Sequence, residues 1–523
     1  MPSSRSGSSA GGMLFMVSQP DVLLVMLPYS GALIPSLGLA SVKAALEQAG
    51  TTARILDLDY FFIGQLKKQV APEHLAQVQT FENWIFEEDF VRLLPAVEGL
   101  IQACTERVAR VPSRWIGFSV NDYNNYTTSE VIRRLRAGGD RRPVILGGTN
   151  CYLREHMNRL SRQVDAVLTG EADETLADFE GWFKAGRPGE PPPGVFVPGV
   201  NGELLGVHRE PPARLESLPM PDYDGQPWPG HWTLPEFPIL MSRGCIGRCA
   251  FCDVFRRNGK FRRRPPERVF EEMVVLRERY PGLRLHFNDS LVNGDLISLR
   301  RLCQLMVSEG LRIRMIGQAR ARRDMTPEDY QLMHRAGFHT LLYGVETGSP
   351  KVRRLMNKTQ FATLEEEAAG YQYAHDAGIR VGVNLIVGFP GETRRELEET
   401  LRFLLRNKRH IDLIASISCL SILPHTMLWD SPERYGIDPA TKATLDWRTL
   451  DGQSTRQERT WRRKWLFEEL RAADFQVSHL LYDLEQPGRF EAFLRKGVRR
   501  ARQVAARGKR FMQGALSNSG GRP

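Results

Sequence analysis

The sequence predicts two α/β units in tandem, and three observations carry that expectation. Short apolar runs of strand length alternate with helical periodicity through residues 20–185, the pattern of a parallel, doubly wound sheet with helices on both faces. A second series of six apolar runs, each separated from the next by a helical pattern, extends from residue 239 to residue 420. Between the two the composition shifts to Pro191-Pro192-Pro193-Gly194 and a Pro-, Asp- and Gly-rich stretch over 219–229, so residues 186–236 read as a short hairpin followed by an extended linker.

In the first unit, residues 21–27 have strand length, and 37–49 carry helical periodicity that stops at Gly50. Further strands are expected at 53–58, 115–120, 144–148 and 165–170, with a helix over 129–137. In the second unit the strands are expected at 239–242, 283–287, 312–318, 340–345, 380–387 and 414–420. Residues 431–512 hold helical patterns, at 461–473 and 490–510, without an assignable motif. The polar ends, 1–19 and 513–523, are rich in Ser and Gly and are expected to be disordered.

The chain has 523 residues, enough for two or three cores, and its 42% hydrophobic and 25% charged content is that of an ordinary globular protein. Seven cysteines, three of them clustered, do not form evenly spaced pairs; a disulfide framework is not expected, and the reducing cytoplasm is the natural setting for free thiols. No uninterrupted apolar run reaches about 18 residues, so no membrane span is expected. The net charge of +10 gathers partly at Arg256, Arg257, Lys260, Arg262, Arg263 and Arg264 and partly in a run over 495–510 that contains no acid. A solvated basic helix accounts for the second run; an anionic substrate, carrier or leader peptide is the alternative, and no motif accompanies the charge that would indicate nucleic acid.

The chemistry-bearing motif is Cys245-Ile246-Gly247-Arg248-Cys249-Ala250-Phe251-Cys252. Three thiolates spaced Cys-x3-Cys-x2-Cys suit three irons of a 4Fe-4S cluster and leave the fourth iron open to another ligand. Three buried structural cysteines, or a zinc site with a fourth ligand elsewhere, are the other readings. Cys104, Cys151, Cys303 and Cys419 are dispersed and are assigned to no metal; Cys151 and Cys419 alone fall near the expected cofactor space.

The cysteine spacing, with Phe251 before the last thiol, resembles the signature of the radical S-adenosylmethionine (SAM) superfamily. The resemblance implies that Cys245, Cys249 and Cys252 are both metal ligands and catalytic, that the open iron chelates SAM, and that residues 237–430 form a partial (β/α)6 TIM-type barrel. It also implies chemistry at the C-terminal ends of the strands. A doubly wound, Rossmann-like domain at 20–185, directly before such a barrel, is similar to the cobalamin-binding subfamily.

Four segments carry that similarity in order. Leu27-Pro28-Tyr29 with Ser36-Leu37-Gly38 matches the first loop and helix start; Gly117-Phe118-Ser119 and Leu146-Gly147-Gly148-Thr149 match later strand ends; Gly170-Glu171 matches the family's Gly-Glu turn. By resemblance, Leu27, Pro28, Ser36, Leu37, Gly38, Ser119, Gly147, Gly148, Thr149, Gly170 and Glu171 contact cobalamin. The Asp-x-His-x-x-Gly motif of some cobalamin proteins is missing: residues 57–64 contain no imidazole, so no histidine lower ligand is expected.

On the barrel side, Glu346 resembles the family glutamate that contacts the amine or ribose of SAM, and Asn384 with Gly388 resembles the fifth-strand motif. Phe251 and Gln318 complete the expected cofactor-binding set. His425 stands where the family commonly has Gly. Arg320, Asn288 and Asp289 end strands, where each either faces the cavity or has a structural role, and His286 reads as a hydrogen-bonded core residue.

The expected function is that of a cobalamin-dependent radical SAM methyltransferase, moving a methyl group from SAM through methylcobalamin to an unactivated carbon or a phosphinate phosphorus of a small-molecule or peptide substrate. A low-potential donor such as flavodoxin or ferredoxin supplies the electron. Cyclisation, rearrangement or oxidation with the same cofactors is the alternative within enzymes, and an iron-sulfur sensor or scaffold the alternative outside them. The barrel and the cobalamin-type domain are expected to oppose their active faces across the linker.

Overall fold

The computed structural model describes residues 19–29, 34–80, 82–151, 163–226, 236–442 and 446–478. The leader through residue 18, the helical pattern at 490–510, the basic run at 495–510 and the tail at 513–523 lie outside the described residues.

The first unit is a sheet of β1 (Val22–Met26), β2 (Ala53–Asp57), β3 (Trp115–Ser119), β4 (Val144–Gly147), β5 (Ala166–Leu168), β6 (Val195–Pro198) and β7 (Leu204–Leu205), in the order β2-β1-β3-β4-β5-β6-β7. The first five pair in parallel, and the hairpin β6-β7 extends the edge antiparallel. Alternation along β1 shows why the sheet is doubly wound. Leu23 and Val25 join one apolar layer and Val22, Leu24 and Met26 the other, so both faces require helices. The helix Glu87–Arg110 supplies much of one layer; Pro95 inside it conceals a helix of this length from a reading of periodicity.

Order 2-1-3-4-5 places the topological switch point between β1 and β3, where ligand crevices form in such sheets. Asn124, fully buried, holds that point together by donating from Nδ2 to Leu27 O (3.3 Å) and Ser119 O (2.9 Å).

The second unit is a six-stranded parallel sheet of β8 (Glu236–Ile239), β11 (Arg284–Phe287), β12 (Arg314–Ala319), β13 (Phe338–Glu346), β14 (Arg380–Val387) and β15 (Leu413–Cys419). Its strands lie in chain order, the topology of an incomplete (β/α) barrel. A side ribbon, β9 (Ser242–Arg243) with β10 (Arg262–Arg263), flanks the loop after β8. The first barrel strand lies at Glu236–Ile239, earlier than the expected 239–242. It runs through Pro238, which an edge strand tolerates because β8 pairs only with β11.

The open side at β15 is covered by the end of the described chain. Ile414 N donates to Gln476 O (2.8 Å), and Ser478 N donates to Ile414 O (2.9 Å). The preceding helix, Arg456–Ala472, is seated by two buried arginines. Arg459 lies over the Trp447 ring at 3.8 Å. Arg462 donates to Glu392 O (2.9 Å) and Gln453 O (2.7 Å) and pairs with the Glu392 carboxylate at 3.3 Å. Burial pushes that carboxyl up to about 7.

Removing one partner of a buried pair strands the other. Arg462→Met is expected to destabilise the protein by about 3–5 kcal/mol in denaturant unfolding, and Glu392→Gln, which keeps a neutral hydrogen-bonding group, by less.

Candidate active site

The cysteine loop leaves the end of β8 under tight control. Asp289, fully buried beyond β11, accepts from Met241 N (3.0 Å) and from the Ser242 hydroxyl, and burial pushes its carboxyl up to about 6. Asp289 therefore anchors the loop and does not line the cavity. Arg264 donates to Leu240 O (2.8 Å) and to Glu272 (2.6 Å) from the other side. Gly244 turns at φ +81, with its Cα so close to Lys260 that an added Cβ would stand 2.8 Å from the Lys260 carbonyl oxygen.

Cys245, Cys249 and Cys252 are then presented as half-buried free thiols. Gly247 N donates to Cys245 Sγ at 3.3 Å, and Arg320 Nη2 lies 3.6 Å from Cys249 Sγ. Burial raises the Cys245 thiol and pushes Cys252 up to about 11, so thiolates are sustained there only by a compensating cation such as iron. Among the described residues no three His, Cys, Asp or Glu side chains converge as ligands of one ion. A four-iron cluster requires something else, that each thiolate reach a different corner, and this donor set of soft thiolates fits it. Phe251 packs into the apolar group of Ala250, Val352, Met356 and Phe389 behind the loop.

At the end of β13, Glu346 adopts φ 64, a left-handed conformation that is uncommon for a non-glycine residue. Its carboxylate pairs with the buried Lys358 Nζ at 3.2 Å. Gly344 makes room for the pair, because a Cβ there would fall 2.4 Å from Glu346 Oε1. A polar row crosses the strands below: Ser416 donates to Asn384 Oδ1 (2.8 Å), and Asn384 Nδ2 to Gln318 Oε1 (3.4 Å). All three side chains are half-buried. His286 pairs with Glu236 at 3.3 Å. His425 takes φ 61, the conformation that Gly adopts freely.

Gly388 is buried at the end of β14, with the Arg459 side chain against it: an added Cβ would meet Arg459 Cγ at 2.2 Å. The structure thus gives Gly388 a packing contact with the C-terminal helix. Cys419 donates to Arg459 O (3.4 Å), and Cys151 is buried, its thiol raised by burial.

Around the first sheet, Ser36 caps the helix Leu37–Gln48 through its hydroxyl, and its backbone N–H donates to Gln226 Oε1 (2.6 Å) in the linker. Leu27 and Pro28 are buried at the end of β1, Leu37 is half-buried, and Gly38 and Thr149 are exposed. Ser119 ends β3 against Asn124. Gly148 is required by contact, since a Cβ would stand 2.5 Å from Val120 O, whereas Cβ atoms on Gly147 and Gly170 would meet nothing within 4 Å. Turn glycines bordering open space at the strand ends of a 2-1-3-4-5 sheet suit close backbone approach by a large planar group, and the residues fit a corrin in that respect. One imidazole, His208 on the hairpin side, lies by Thr169 Oγ1 at 3.4 Å.

The two faces meet through charge. Glu171, just past β5, accepts from Arg243 Nη1 (2.8 Å) and Arg262 Nη1 (2.9 Å), and Asp173 accepts from both Arg243 Nη atoms at 2.6 and 3.0 Å. The four side chains are 8–15% exposed, which makes this a largely desolvated quartet. Arg243 lies two residues before Cys245, so the acids hold the neck of the cysteine loop. A second stitch runs from Lys43 Nζ to Asp222 (2.7 Å) and from Tyr223 Oη to Pro238 O. Lys358, Asn124, Asp173, Arg243 and Ser416 escape a sequence reading because each works through a partner distant in the chain. Acids two residues apart after a strand end were the one visible signal.

Residues 239–404 match the Radical SAM superfamily. An uncharacterized methyltransferase of Pyrococcus horikoshii is 27% identical over 339 residues, 62% of this chain and 69% of its own length. TsrM from Kitasatospora setae, a radical SAM methyltransferase solved with cobalamin and a 4Fe-4S cluster bound, superposes with a TM-score of 0.65 over 93% of this chain and 100% of its own, at 14% identity. OxsB, a cobalamin-dependent SAM radical enzyme solved with aqua-cobalamin and SAM bound, gives 0.56 over 80% of this chain and 56% of its own, at 17% identity. At these identities the likeness to TsrM and OxsB is one of fold. No described helix is long and apolar enough to cross a membrane.

Arg243→Met strands Asp173 at the domain junction and leaves Glu171 to Arg262 alone. It is expected to raise the rate of tryptic cleavage between the units at least tenfold, read by limited proteolysis, whereas the paired neutralisation Arg243→Met with Asp173→Asn recovers part of the protection.

Proposed function

Residues 239–404 belong to the Radical SAM superfamily, and from that premise we propose that this chain is a cobalamin-dependent radical SAM methyltransferase acting on an unactivated carbon or a phosphinate phosphorus. The observation that carries the reading is the quartet at Glu171 and Asp173: it brings the strand ends of a cobalamin-type sheet against the neck of the cysteine loop. The cofactors would supply one-electron cleavage of SAM at a cluster on Cys245, Cys249 and Cys252, and methyl carriage by cobalamin.

The protein's own work is positioning and exclusion of water. Glu346, at its left-handed backbone position and paired with Lys358, would bind the amine or ribose of SAM. The row Ser416, Asn384 and Gln318 offers uncharged donors and acceptors along the strands, suited to orienting a polar group of the substrate. Leu27, Pro28, Ser119, Gly147, Gly148 and Gly170 would border the corrin. A low-potential donor protein completes the electron supply.

Anaerobic purification with iron and cobalamin supplied is expected to yield about four irons and stoichiometric cobalt. Turnover of the true substrate should give S-adenosylhomocysteine and a methylated product; 5′-deoxyadenosine with an unmethylated product would replace methyl transfer by cyclisation or oxidation. Iron without cobalt would sink the cobalamin mechanism. Cys249→Ala is expected to lose its iron while retaining cobalamin, read by iron and cobalt analysis.

A further inference from the structure

Arg320 follows the last residue of β12, and its guanidinium has a place among the cysteine thiols that the chemistry above does not use. Its backbone is fixed from both sides by one buried residue: Asn293 Oδ1 accepts from Arg320 N (3.1 Å), and Asn293 Nδ2 donates to Arg320 O (2.7 Å). The side chain then crosses the Phe361 ring at 4.5 Å, which sets the plane of the guanidinium. From there Nη2 reaches to 3.6 Å from Cys249 Sγ, hydrogen-bonding distance for sulfur.

The loop itself is shaped to receive this group. A Cβ on Gly247 would stand 2.9 Å from Arg320 Nη1 and 3.6 Å from Cys245 Sγ, so the missing side chain of Gly247 is what lets the cation lie between the two thiols. Arg320 is only 8% exposed, and among the described residues its guanidinium pairs with no carboxylate. A buried guanidinium without an acid requires an anion of another kind, and the thiolates are the anions at hand.

We propose that Arg320 is a positioning residue for the cluster ligand Cys249, a donor to its thiolate that raises the reduction potential of the iron-sulfur cluster. One-electron reduction adds a negative charge to the cluster; a fixed cation and an N–H to sulfur bond both stabilise the reduced form more than the oxidised one. The inference rests on the reading that the three cysteines hold a cluster, but not on cobalamin or on methyl transfer.

The test is an EPR-monitored redox titration of the full-length, anaerobically reconstituted protein without SAM or substrate, for the wild type, Arg320→Gln, Arg320→Lys and Gly247→Ala. Arg320→Gln is expected to lower the reduced-to-oxidised ratio at a fixed potential about tenfold, equivalent to a shift of about 59 mV to more negative potential for a one-electron couple. Arg320→Lys, which keeps the charge and loses the planar fork, should recover part of that shift. Gly247→Ala, which displaces the guanidinium and leaves every charge in the chain in place, should move the potential in the same direction.

Iron content and the melting transition are followed in each protein. Potentials within twofold of the wild-type ratio in variants that retain their iron would overturn the proposal. So would loss of iron from a folded Arg320→Gln protein, which would make Arg320 an assembly residue. If Arg320→Gln does not fold, Gly247→Ala decides by the same criterion. A wild-type protein that takes up no cluster would overturn the cluster reading itself, an outcome separate from all of these.

Discussion

Two carboxylates on the rim of one sheet meet two guanidiniums at the neck of the cysteine loop, and the relation between the two halves of the molecule follows from that meeting. Glu171 and Asp173 are taken almost wholly out of water by Arg243 and Arg262. Four charges so placed tolerate little separation, because withdrawing one leaves its partner desolvated and unpaired at a cost of several kcal/mol. The distance between the strand ends of the first unit and the cysteines of the second is thereby set by ionic contact at one point and by the Lys43 to Asp222 stitch at another. Apolar packing crosses the junction too, with Ala40 joining the barrel core and Leu37 packed against it.

The same economy governs the cysteine loop. Beyond the two-residue ribbon β9, side chains hold the loop that presents the three thiols: Asp289 takes Met241 and Ser242, Arg264 takes Leu240, and Asn357 takes Arg248. Each of these holds one end of the loop against a strand or helix terminus. The thiols are consequently oriented by rigid elements although they sit on irregular chain.

The covalent spacing of Cys245, Cys249 and Cys252 made the motif legible in the sequence, since three ligands within eight residues need no knowledge of the fold to be recognised. β1, buried on both faces, was legible as a continuous apolar run, and β14 as an apolar run interrupted by Asn384. The start of β8 was not, because Pro238 reads as a boundary and only its place at a sheet edge makes it harmless. Glu171 was visible as part of a turn, whereas its partners Arg243 and Arg262 lie 72 and 91 residues away. Gly388 was read for its motif, and the Arg459 contact that demands a glycine there comes from a helix with no motif at all. Pairing between remote charges leaves no periodic trace, and this is the physical reason that such contacts cannot be read from local pattern.

The long sequence separation within the quartet has a consequence for how the chain is assembled during synthesis. The acids of the first unit emerge 70 or more residues ahead of Arg243, so the doubly wound sheet is complete while Glu171 and Asp173 are still hydrated. Their dehydration is deferred to the moment when the barrel's first strand and side ribbon arrive. Docking of the halves is therefore a step at which this protein's biogenesis feels the ionic strength of its surroundings.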